Sequence, residues 1–232
     1  SFKKTYLAID PKLVQIFKES FPEIEVYSLF DETSTDFFDY QIPLCSIGAY
    51  ARNSYKDFLP LKNYYSLLGQ NTYKSEKNYK CALSWKSPLG AKGDFKSTTL
   101  ESLKPILELK NIDFYSVQYN DEEDEIKYIE KKYGIKINSI NNLDTYKDIY
   151  GLMKFIQSCD FTITTSSTNA HLSGALGVPT YLLLPMAYGK IWYWDNFYDG
   201  KNVWYPSVKS FIQKEYKNWL HPIDELLKFM VT

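Results

Sequence analysis

Short apolar runs bounded by polar turn residues alternate along this chain with longer segments whose apolar positions recur every three or four residues. The first pattern is that of strands, the second that of amphipathic helices. In the first part of the chain, strands are predicted over 5–9, 24–27 and 39–42, with a helix over 11–20 that opens on Pro11. Residues 69–78 are polar and lack periodicity, with Gly69, Gln70, Asn71 and Thr72 in succession. A boundary is placed there, between a partial amino-terminal α/β lobe (1–75) and a more regular α/β domain (76–232).

The second domain reads as six strands, over 81–85, 112–118, 135–139, 161–165, 180–184 and 208–212. Helical patterns occupy 100–109, 121–133, 149–159 and 170–176, and a last helix starts near His221 and Pro222. The acidic first turn of the helix over 121–133 (Asp121, Glu122, Glu123, Asp124) and Lys131 and Lys132 near its end suit a helix dipole on a solvated face. Strands alternating with helices predict a doubly wound parallel sheet, Rossmann-like, in the order 3-2-1-4-5-6. The order reverses between strands 81–85 and 161–165. Ligands of such sheets bind outside the carboxyl ends of the strands at that point. The loops that begin at Lys86 and Ser166 are therefore expected to face each other across a binding crevice.

The second of these loops contains five consecutive hydroxyl residues, Thr164, Thr165, Ser166, Ser167 and Thr168, between a strand and a helix. One helix cap needs one such residue. Free N–H groups and the dipole at a helix start attract anions, and hydroxyls add donors. His171 falls within the first turn, and Gly174 and Gly177 suit packing and helix termination. The first loop carries Lys86, Lys92 and Lys96 with Gly90 and Gly93, a composition suited to a diphosphate, and Lys96 precedes a helix start. Gln118 ends the second strand and points toward the same crevice or caps it. His221 is read as structural.

The inventory narrows the chemistry. Basic and acidic residues number 27 and 28, giving a net charge of −1 and no general attraction to nucleic acid. No run approaches the ~20 apolar residues of a membrane helix, and no signal segment opens the sequence, so a cytoplasmic protein is expected. Two histidines and three scattered cysteines (Cys45, Cys81, Cys159) do not make a zinc site or a disulfide framework. Arg52 is the only arginine, so a bound anion must rely on lysines, hydroxyls and backbone N–H groups.

The segment Ala170-His171-Leu172-Ser173-Gly174-Ala175-Leu176-Gly177-Val178-Pro179, continuing through Thr180-Tyr181-Leu182-Leu183-Leu184-Pro185, resembles the carboxyl-terminal half of GT-B glycosyltransferases. The similarity is to the heptosyltransferase-like family often found behind tetratricopeptide repeats in bacterial proteins. Leu83-Ser84-Trp85, Ser116-Val117-Gln118, Tyr146-Lys147-Asp148, Trp192-Tyr193-Trp194 and Trp204-Tyr205-Pro206-Ser207 follow in family order. Asp39-Tyr40-Gln41-Ile42-Pro43-Leu44 resembles the end of the family's amino-terminal lobe. The resemblance implies that Ser166, Ser167, Thr168 and His171 hold the donor's diphosphate and ribose, and that Lys96 contacts phosphate. It places Asp148 on a recurring acidic position before a helix, where a helix cap is an equal reading. Heptosyltransferases usually carry Asp-Thr where this chain has Ser166-Ser167.

The family's Gly-rich acceptor loop, which supplies the catalytic base, is not visible in the sequence. The resemblance then implies a portion of a longer protein, with helical repeats upstream, or a non-catalytic member. The expected activity is metal-independent, inverting transfer from a nucleotide-sugar co-substrate to a glycan, lipid or protein acceptor, with no cofactor and no assigned catalytic base. The alternative is a nucleotide or nucleotide-sugar binding module without turnover. A dehydrogenase is disfavoured because no Gly-x-Gly-x-x-Gly follows the strand at Cys81.

Overall fold

Five parallel strands form the centre of the molecule, and their order follows from where each crossover helix can pack. The computed structural model describes residues 4–31, 38–58, 78–87, 90–119 and 122–232, with the backbone alone for 90–92. The proposed boundary near 75, the side chain of Lys92 and Asp121 lie outside the described residues. The first part contributes β1 (Tyr6–Ile9), α1 (Pro11–Ser20), β2 (Glu25–Ser28) and the short α2 (Gly48–Ala51). β1 and β2 pair in parallel. No strand forms over 39–42, where the side chains of Tyr40 and Ile42 are exposed and find no sheet to join.

The second part contains β3 (Tyr79–Ser84), α3 (Gly90–Lys96), α4 (Leu100–Leu107), β4 (Ile112–Ser116), α5 (Glu123–Tyr133) and α6 (Ile149–Gln157). It continues through β5 (Phe161–Thr165), α7 (Thr168–Ala175), β6 (Thr180–Leu184), the hairpin β7 (Phe197–Tyr198) and β8 (Lys201–Asn202), β9 (Val208–Ile212) and α8 (Leu220–Val231). The sheet runs β4-β3-β5-β6-β9, parallel throughout. The predicted strand over 135–139 shrinks to one bridge, Asn138 to Tyr115, on the outer side of β4. Ile135 and Ile137 are nevertheless buried in the core. Counting that bridge, the spatial order is the predicted one.

Both faces of the sheet are covered. Cys81, Leu83, Phe161, Ile163 and Leu183 pack toward α4, α5 and α8 through Leu103, Ile129 and Leu226. Ala82 points the other way, into a cluster with Ile16 of α1, Met153 of α6 and Leu172 of α7. This alternation is the strand period of two expressed as two cores. α3 was not foreseen. It carries two glycines, which disfavour a helix interior, and it is held in place by Ser97 Oγ, which donates to Gly93 O at 2.8 Å.

Asp148 is the N-cap of α6. Its Oδ1 accepts from Gly151 N at 2.7 Å. A Cβ on Gly151 would lie 2.3 Å from Asp148 Oδ2 and 2.7 Å from Leu143 Cδ1. The glycine is therefore the space into which the cap folds. Asp148→Ala and Gly151→Ala are each expected to cost about 1 kcal/mol in urea unfolding, the worth of one cap. Because both remove the same interaction, the double variant should cost much less than their sum. Additive losses would show that Gly151 acts independently of the cap.

Candidate functional site

The crevice lies at the carboxyl ends of β3 and β5, neighbours in the sheet with Cys81 opposite Phe161. After β3, residues 85–87 are joined by hydrogen bonds to residues 97 and 98, which follow α3. Thr98 N donates to Trp85 O at 2.9 Å, and Ser87 N donates to Ser97 Oγ at 3.0 Å. This brings Lys96, the last residue of α3, over the sheet edge with only 5% of its surface exposed. Burial, and next the charge of Lys96, disfavour the imidazolium of His171 in α7. The two predicted site residues, on separate loops, are thus coupled electrostatically.

From β5 the chain turns through Ser166 and Ser167 into α7. The first N–H groups of a helix have no intrahelical acceptor. Ser167 stands at the N-cap, but its side chain makes no cap hydrogen bond. It lies 3.2 Å from Thr164 Oγ1 instead. No acidic residue occupies the first turn of α7, so its positive end is uncompensated. Thr168 is exposed at that end. Ser166 is committed elsewhere: its Oγ accepts from Trp194 Nε1 at 3.0 Å, and both residues are buried. Asn169 Nδ2 donates to Val117 O at 3.0 Å and ties the helix start to the end of β4.

The residues around His171 come from 191–205, downstream of β6. The His171 ring lies 4.7 Å from Trp194 at 32° and meets Tyr193 and Tyr205 edge-on. Its Nδ1 shares a 3.2 Å hydrogen bond with Tyr205 Oη. Asn202 holds this loop in shape: its Nδ2 donates to Tyr193 O, and its Oδ1 accepts from Trp204 N and Tyr205 N. The β7–β8 hairpin that delivers Asn202 turns on Asp199 and Gly200, both at positive φ, the Asp-Gly signature of a tight hairpin. A Cβ on Gly174 would lie 2.6 Å from the Tyr205 ring, so α7 and Tyr205 approach only because Gly174 has none. Gly177, at φ 73°, terminates the helix in the left-handed conformation. Asn202 and Tyr205 were not singled out as site residues from sequence. The Asp-Gly turn was the available signal.

Other candidates take bracing roles. Gln118 Oε1 accepts from Ser84 Oγ, Trp85 N and Lys86 N, each at 3.1 Å, and its Nε2 donates to Lys86 O. Its amide is spent on the loop after β3. Lys86 is no free phosphate ligand, since its Nζ lies 2.5 Å from Glu122 and 2.6 Å from Glu125. Burial pulls its pKa down, but the two carboxylates outweigh burial and raise it. The acidic start of α5 is thus part of the crevice wall: Glu125 also accepts from Trp85 Nε1 and Leu100 N. Beside this wall, a cleft of about 310 Å³ is lined by Ser116, Gln118, Ile126, Ile140, Leu143 and Thr145, among others. Ser87, Thr98 and Thr165, at the same sheet edge, bury side-chain hydroxyls without hydrogen-bond partners. Among the described residues, no group of three His, Cys, Asp or Glu could hold a metal ion, and no helix is long and apolar enough to cross a membrane.

No family model matches the chain. Over 141 residues, 60% of this chain, the sequence is 27% identical to Protein FlbA of Caulobacter vibrioides, and the match spans 23% of that protein's length. Among solved structures, the E. coli heptosyltransferase WaaC with ADP-2-deoxy-2-fluoro heptose superposes with a TM-score of 0.44 at 11% identity, over 76% of this chain and 47% of that one.

Burial, and then the charge of Lys96, lower the His171 pKa from 6.5 to about 4. Between those values an unfolded chain takes up a proton that the native state refuses. The contribution is complete above pH 6.5 and is lost as pH falls toward 4. Its size is about 2–3 kcal/mol. His171→Asn is expected to reduce the drop in unfolding free energy between pH 7 and 4 by that amount. A drop unchanged from the unsubstituted chain would mean that the ring titrates normally.

Proposed function

We propose that the crevice between β3 and β5 binds the diphosphate of a nucleotide-sugar, and that the chain is the donor-binding part of a GT-B-type glycosyltransferase. The observation that carries this reading is one juxtaposition. A lysine with almost no exposed surface, a histidine whose charge burial and that lysine disfavour, and a helix start without a side-chain cap follow the two strands between which the sheet order reverses. That set suits an anion that must be held firmly and desolvated. The resemblance around His171 supplies the reaction class.

In such a transfer, the acceptor hydroxyl attacks the anomeric carbon, and the bond from that carbon to the phosphate oxygen breaks. Negative charge develops on the departing nucleoside diphosphate. Lys96 and the first N–H groups of α7 are placed to stabilise it without a metal. His171, neutral at pH 7, acts as a hydrogen-bonding group rather than a second cation, with its ring orientation fixed by Trp194 and Tyr205. Ser167 and Thr168 add hydroxyl donors at the helix start. Ser166 and Gln118 serve by holding Trp194 and the loop after β3. The apolar Ile126, Ile140 and Leu143 beside the hydroxyls of Ser116 and Thr145 suit a base and its ribose.

Calorimetry with nucleoside diphosphates in the presence of EDTA tests this reading. Binding should persist without divalent metal. Lys96→Met keeps an unbranched side chain, shorter by one atom, and removes one charge-assisted hydrogen bond, worth about 1.5–3 kcal/mol. Diphosphate affinity should fall tenfold to a hundredfold, while affinity for the bare nucleoside stays the same. Equal losses for both ligands would assign Lys96 to the fold, and binding that needs added magnesium would contradict the metal-free site. Transfer or hydrolysis of a bound nucleotide-sugar distinguishes an enzyme from a binding module.

A further inference from the structure

Two stretches beside the proposed donor site lie outside the central sheet. Residues 139–148 contribute Leu143 and Thr145 to the cleft, and residues 191–205 surround His171. Each carries an aromatic ring against which a cation from the first part of the chain rests. Lys12, in the first turn of α1, has its Nζ 3.7 Å from the centre of the Tyr146 ring and donates to Tyr146 O at 3.0 Å. Arg52, directly after α2, lies 4.6 Å from the Trp204 ring and 4.9 Å from that of Phe58, and Phe58 meets Trp204 edge-on at 4.9 Å. Tyr55 stacks on Tyr198 of the β7–β8 hairpin at 6.1 Å.

Both contacts lead inward. The indole N–H of Trp204 is buried without a hydrogen-bond partner. Packing against Arg52, Phe58, Trp192 and Tyr193 therefore sets the pose of that ring. Trp204 N and Tyr205 N donate to the same acceptor, Asn202 Oδ1, at 3.0 and 2.9 Å, which ties the backbone of one to that of the other. Tyr205 Oη then shares its hydrogen bond with His171 Nδ1, and Tyr193 meets the His171 ring edge-on at 5.5 Å. In the other stretch, Tyr146 stacks on Tyr119 at 6.1 Å, and its neighbour Thr145 donates to Gln118 O at 3.0 Å. A cation is attracted to the face of an aromatic ring, more strongly where water is excluded. Neither stretch has strand pairing to the sheet to do the same work.

We infer that Arg52 and Lys12 are positioning residues of the donor site, Arg52 setting His171 through Trp204 and Tyr205, and Lys12 setting the cleft through Tyr146 and Thr145. This rests on the proposed donor-binding reading. The first part of the chain thereby contributes to donor affinity through the two stretches it braces, and by linkage a bound donor holds the first part in place.

The chain has two histidines, so NMR of the ring nitrogens resolves His171 without any ligand. At pH 7 its ring is neutral, and the Tyr205 hydrogen bond is expected to keep it in one tautomer. Arg52→Gln should give shifts averaged over two tautomers, Arg52→Lys should restore the original shifts in part, and Lys12→Met should leave them unchanged. If Arg52→Gln does not fold, Phe58→Leu loosens the same ring and should produce the same averaging. In calorimetry, Arg52→Gln should weaken a nucleoside diphosphate about threefold to tenfold and leave the bare nucleoside unaffected, whereas Lys12→Met should weaken both alike, about threefold. His171 shifts that survive Arg52→Gln, with only the melting temperature lowered, would make Arg52 a stabilising residue and overturn its assignment. Unchanged nucleoside affinity in Lys12→Met would overturn that of Lys12. Failure of the unsubstituted chain to bind any nucleoside diphosphate would instead reject the donor site, a result distinct from the tautomer readout.

Discussion

The parallel pairing of β3 with β5 is the constraint on which the rest depends. The two strands are far apart in sequence, and each is followed by a loop that can do nothing as an anion site alone. Their register is locked at the opposite end of the sheet, where Asp160 Oδ2 accepts from Lys80 N at 2.7 Å and Asp160 N donates to Lys80 O at 2.9 Å. Because the pair is parallel, locking the amino ends also fixes which residues meet at the carboxyl ends. Right-handed crossovers then send α6 and α7 to one face and α4, α5 and α8 to the other, and the crevice opens where the winding reverses. The segments that carry Lys96 and the start of α7 therefore follow the carboxyl ends of adjacent strands.

A second layer converts that meeting into a defined electrostatic environment. The loop over 185–207 covers His171 with Trp194, Tyr193 and Tyr205, and the same Trp194 fixes Ser166. Excluding water has two effects. It keeps His171 uncharged beside Lys96, and it strengthens the field of that lysine and of the helix start at the same place. A crevice with two exposed cations would attract anions from a distance but hold none in a fixed pose. Burial of Lys96 instead restricts that charge to one pose after β3.

Much of the scaffold was legible because its signals are strong. β6 is a nearly continuous apolar run, β5 alternates Phe161 and Ile163 with threonines, β9 carries Val208, Phe211 and Ile212, and all three have their predicted bounds. Lys136 and Asn138 leave the strand over 135–139 exposed on one side, so only its inward residues, Ile135 and Ile137, obeyed the pattern. α3 was hidden by its glycines. In the site, residue type was readable and allegiance was not. Lys86 and Lys96 look alike in sequence, but Glu122 and Glu125 pair with the partly exposed first, whereas the second is buried at the end of α3. Ser166 and Ser167 are adjacent hydroxyls, yet a tryptophan 28 residues downstream takes only Ser166. Such assignments depend on side chains distant in the sequence, and local spacing carries no information about them.

The central claim is that the β3–β5 crevice is a diphosphate site built from Lys96 and the start of α7. The most direct measurement is a structure of the chain with a nucleoside diphosphate bound. The phosphates are expected within hydrogen-bonding distance of Lys96 Nζ and of the first backbone N–H groups of α7, with the His171 ring still packed against Trp194. A diphosphate held by surface lysines away from the carboxyl ends of β3 and β5 would contradict it.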